Sequence, residues 1–72
     1  MAEENIHERA ARLEKVGKLV DMLVRAKITH ADALLATEQE WANAALAAGV
    51  NKPSAKTIEM VLERLKSMEK PL

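Results

Sequence analysis

No cysteine occurs anywhere in the chain, which excludes disulfides and thiolate metal sites alike. Phenylalanine and tyrosine are missing too, so Trp41 is the single large aromatic ring and the apolar material is Leu, Val, Ile, Met and a large share of Ala. A core of those residues is thin. A leucine or valine gains about 1.5–3 kcal/mol on full burial and alanine much less, and a chain of 72 residues lies at the small end of what folds unaided. Self-association is the expected remedy.

Net charge is also lacking: 11 basic residues balance 11 acidic ones, which argues against a protein that coats nucleic acid or anionic membrane non-specifically. The balance hides a gradient. Residues 1–28 carry six basic and five acidic groups, 29–49 three acidic and none basic, and 50–72 five basic and three acidic. No apolar run approaches a membrane span, and the opening MAEENIHERA has acids where a secretory signal would be basic and then apolar. The expectation is a cytoplasmic protein.

Glycine appears only as Gly17 and Gly49, which stand alone, so no phosphate-cradling loop is present. His7 and His30 are far apart and outside any spacing that would place two ligands on one helical face; neither a metal nor a cofactor is expected. No nucleophile is paired with a base, and Glu38 and Glu40 fall in a first helical turn where negative charge suits the dipole. An enzyme is not expected.

What the chain does contain is helical pattern. Ile6, Leu13, Val16, Val20 and Leu23 recur at sevens and at threes and fours from Ala2 to about Ala26, an amphipathic helix whose opposite face pairs Glu8 with Arg12, Glu14 with Lys18 and Asp21 with Arg25. Gly17 suits a close helix crossing. Such a helix, at about 1.5 Å per residue, outruns the helices that follow. Its stripe is therefore assigned to a homodimer; Arg9 and Lys27 interrupt the heptad, so the contact is a helix pair rather than an extended coiled coil.

Thr29-His30-Ala31-Asp32 and Thr37-Glu38-Gln39-Glu40 both have the form of a capping box. The polar break between Leu35 and Trp41 favours two helices, 30–36 and 38–48, over a single one from 30 to 48. Gly49 closes the second, and Trp41 is expected to fill the core against Leu34, Ala45 and Ala48. The last helix has Ser54 as its natural cap, Ile58, Val61, Leu62, Leu65 and Met68 as its buried stripe, and an end before Pro71. Met22 and Met60 fall off the main stripes of their helices and suit an adaptable interface. The fold expected is all-α: one domain over 1–72, a small bundle of three to four helices with a long dimerising helix over 1–28 and a helical hairpin region over 29–70.

From Trp41 to Val61, about 21 of the 72 residues, the order Ala45, Gly49, Val50, Ala55, Ile58 resembles the helix-turn-helix family of DNA-binding domains. Each position has a physical reason: Ala45 admits a close crossing, Gly49 turns the chain, Val50 plugs the angle, and Ala55 with Ile58 faces back onto the preceding helix. The resemblance implies a DNA-binding regulator that docks its last helix in the major groove, with Asn51, Lys56, Thr57 and Met60 at base edges and Lys52, Arg64 and Lys66 on phosphates. A second reading stays open. If Ser54 is the true cap, Gly49 to Pro53 is a five-residue loop and the segment is a plain hairpin. Glu59 and Glu63 also put acids on the helix that should meet DNA. The chain is then a dimeric helical adaptor or inhibitor that binds a partner protein.

Overall fold

The computed structural model describes residues 5–69, which form four α-helices: α1 (Ile6–Arg25), α2 (His30–Leu34), α3 (Glu38–Ala48) and α4 (Ala55–Met68). The small all-α bundle is therefore the observed fold, and residues 29–48 form two helices. The expected start of α1 at Ala2 and the break before Pro71 lie outside the described residues.

Side-chain caps define the helix starts. The Asn5 carboxamide oxygen accepts the Glu8 N–H at 2.8 Å. Thr29 with Asp32 and Thr37 with Glu40 both form reciprocal capping boxes, and the Ser54 hydroxyl accepts the Thr57 N–H at 3.2 Å. Each cap satisfies a backbone donor that the helix leaves open, typically worth about 1 kcal/mol.

Two helices end in the same way. At α3, Gly49 turns left-handed (φ 74°, ψ 29°), its N–H donates to the Leu46 carbonyl, and the Val50 N–H reaches back to the Ala45 carbonyl at 2.9 Å. This is the Schellman pattern, with Val50 folded onto the core. At α1, the Lys27 N–H donates to Val24 and the Ile28 N–H to Leu23, at 3.0 and 2.9 Å. The left-handed residue there is Lys27, at φ 60°, where a side chain costs about 1–2 kcal/mol. Lys27→Gly is accordingly expected to raise stability by about 1 kcal/mol, or about 4–8 °C in melting temperature for a domain of this size; an unchanged or lower midpoint in a thermal melt would show the strain to be relieved elsewhere.

The core consists of Val16, Leu19, Val20 and Leu23 from α1, Ala33 from α2, Trp41 and Ala45 from α3, and Val61 and Leu65 from α4. Helix α1 packs against both α3 and α4, while α2 rests on α4. The last contact has a polar clasp, for the His30 N–H at the start of α2 donates to the Glu69 carboxylate at 2.7 Å.

Four expectations are corrected here. Met68, expected in the buried stripe of α4, is 58% exposed at the helix end. Val16, Val20 and Leu23 are at most 5% exposed; they belong to this chain's own core and are not offered to a second copy. Ala33, not Leu34, is buried beside Trp41, and Leu34 is 57% exposed, because its short helix turns the preceding position inward. Gly17 marks no close crossing: a Cβ built on it meets nothing within 4 Å.

Candidate functional site

Along α1 the burial is one-sided. No residue from Ile6 to Lys15 is buried, whereas Val16, Leu19, Val20 and Leu23 all are. The first half of the helix thus carries its stripe beyond the core, leaving Ile6 77% and Leu13 42% exposed. Of the five residues expected to dimerise, only these two remain on the surface. The face of α1 turned away from this stripe carries the exposed ion pairs Glu14–Lys18 (3.4 Å) and Asp21–Arg25 (3.1 Å), each worth a few tenths of a kcal/mol.

The start of α4 lies against that overhanging half. Arg9, Arg12 and Leu13 of α1 and Lys56 and Met60 of α4 line one groove of about 220 Å³. Lys56 is exposed and Met60 half-buried. Arg9 and Arg12 were not expected in any site, since periodicity within α1 places them only relative to their own helix. Their meeting with Lys56 follows from the α1–α4 packing. On the opposite side of α1, Ala11, Glu14, Lys15 and Lys18 line a shallower depression with Gly49, Val50 and Asn51.

The residues expected to meet DNA are therefore dispersed. Asn51 is exposed in the second depression. Lys52 leans back onto Glu38 of α3, 3.5 Å away. Thr57 is 3% exposed, with its hydroxyl 3.0 Å from that of Ser54, so it faces inward and cannot reach a base edge. Met60 and Lys56 share the first groove, and Arg64 is exposed further along α4. Arg64 and Lys66, two positions apart on a helix, point about 160° away from each other.

The turn itself is long. Helix α4 opens at Ala55 behind the Ser54 cap, so Gly49 to Ser54 is loop, with Pro53 buried within it. A proline before the cap disfavours helical geometry at Lys52 and delays the start of the helix. Ala45, Val50 and Ile58 do pack at or against the core, but Ala55, expected against the preceding helix, is exposed.

Comparison of the chain with protein-family models, with curated proteins and with solved structures gives no significant match. The functional reading accordingly rests on surface chemistry.

A third concavity, about 220 Å³, opens beside Trp41 and is lined by Leu23, Ile28, Ala33, Ala36 and Ala44 together with Asp32 and Glu40. Both carboxylates are engaged in capping boxes, which accounts for them without acid–base chemistry. Among the described residues no group of three or more His, Cys, Asp or Glu could hold a metal ion, and no helix is long and apolar enough to cross a membrane.

Proposed function

We propose that this chain is a small helical protein–protein interaction module, an adaptor or inhibitor that acts by docking on a partner protein. The observation that carries the reading is the first half of α1, which extends past the core with no buried residue. Helices of that length draw most of their stability from packing one face, and here the face is offered to the surface. The late start of α4 and the burial of Thr57 weigh against docking in a major groove. Neutral net charge suits a protein partner equally well.

Duplex DNA is the second reading, favoured by one observation: Lys56 of α4 shares a groove with two arginines of α1. The two readings separate when a photoreactive amino acid replaces Leu13 and the chain is irradiated in its source cell. An adduct that survives nuclease and disappears with protease is expected. An adduct lost on nuclease treatment would overturn the adaptor reading in favour of DNA. Binding of the purified chain to random duplex is expected to be weaker than about 1 µM at physiological salt.

A further inference from the structure

We propose that the groove between the first half of α1 and the start of α4 docks an acidic amphipathic helix of the partner protein, an inference that rests on the interaction-module reading above. Its walls decide the chemistry. Leu13 and Met60 supply apolar surface, Arg9 and Lys56 supply two cations beside Arg12, and among the described residues no acid lines the groove. Among the described residues, neither Arg9 nor Lys56 has an ion-pair partner.

The volume of about 220 Å³ is below the roughly 300–1,000 Å³ of small-molecule sites, yet it accepts one or two side chains of a helix laid along it. A leucine or isoleucine on such a helix would meet Leu13 and the adaptable thioether of Met60. Carboxylates three or four residues away on the same face would meet Arg9 and Lys56.

A second copy docked by the same face would bring Arg9 and Lys56 of one chain against the same two cations of the other, which disfavours the two-fold contact. A phosphodiester backbone would satisfy the cations but leave the apolar floor without an anchor. An acidic helix with an apolar ridge matches both.

The test uses the full chain and two synthetic helical peptides: one of Glu and Leu with Leu at i, i+3, i+4 and i+7, and its counterpart with every Glu replaced by Lys. The acidic peptide is expected to bind, with backbone amide shifts clustered at Arg9, Leu13, Lys56 and Met60, and to weaken as salt is raised. The double variant Arg9→Glu/Lys56→Glu alters only exposed side chains, so its circular dichroism should match the parent. It should bind the acidic peptide at least tenfold more weakly and gain affinity for the basic one. Indifference of both proteins to peptide charge, or shifts confined to another face, would overturn the groove assignment. If the Leu13 cross-link still captures a protein in the cell, only the groove's partner chemistry has failed; if the groove takes random duplex and not peptide, the interaction-module reading fails with it.

Discussion

Trp41→Ala is expected to leave the chain largely unfolded near physiological temperature. Trp41 is 5% exposed and is the single large ring in a core otherwise made of Val, Leu and Ala. Removing such a ring typically costs about 3–5 kcal/mol, the lost transfer energy plus the cavity left behind. A domain of 72 residues, at about 0.05–0.15 kcal/mol per residue, has about 4–11 kcal/mol in total. Neighbouring alanines at 33 and 45 have no side chain long enough to collapse into the space. The measurement is far-UV ellipticity against urea, since the substitution removes the fluorophore. Trp41→Phe serves as the control and should retain a cooperative transition. A midpoint for Trp41→Ala within a few tenths of a molar of the parent would show that the ring is not what holds α3 onto α1.

Leu19→Ala ranks second. Leu19 is fully buried where α1 meets the rest of the bundle, and its truncation should cost about 2–5 kcal/mol. Leu13→Ala, six residues earlier on the same helix and 42% exposed, should cost less than about 1 kcal/mol. The contrast tests where the core ends along α1. Equal losses at the two positions would mean that Leu13 is covered in solution, as it would be in a dimer; the parent's midpoint would then also rise with protein concentration.

Much of this architecture was readable beforehand because its signals are local. Thr29, Thr37 and Ser54 cap through their own side chains within three residues, and Gly49 closes α3 through its own backbone freedom, so helix boundaries follow from neighbours in the chain. Lys27 plays the part of Gly49 at the end of α1 without its chemical signal, and in the sequence it stands out only as a break in the heptad. Periodicity identifies the apolar face of α1 but carries no information on how far along the axis that face is covered, which is why it points Val16, Val20 and Leu23 to a dimer. The choice of Ala33 over Leu34 depends on the setting of a five-residue helix clasped by Glu69, 39 positions from His30. The groove was invisible for the same reason: Arg9 and Lys56 become neighbours only through helix packing.

The uneven support of α1 also bears on how the molecule responds to heat. Isolated helices shorter than about 12–15 residues are marginal in water, and the turns from Ile6 to Lys15 are sustained by the Asn5 cap, the exposed Glu14–Lys18 ion pair, the start of α4 alongside and continuity with the anchored half. Unwinding from that end exposes no core residue, so it need not wait for global unfolding. One continuous helix therefore contains two thermal regimes: a graded helix–coil equilibrium over its first turns and a cooperative transition over its last. Any occupant of the first turns would draw them into the second.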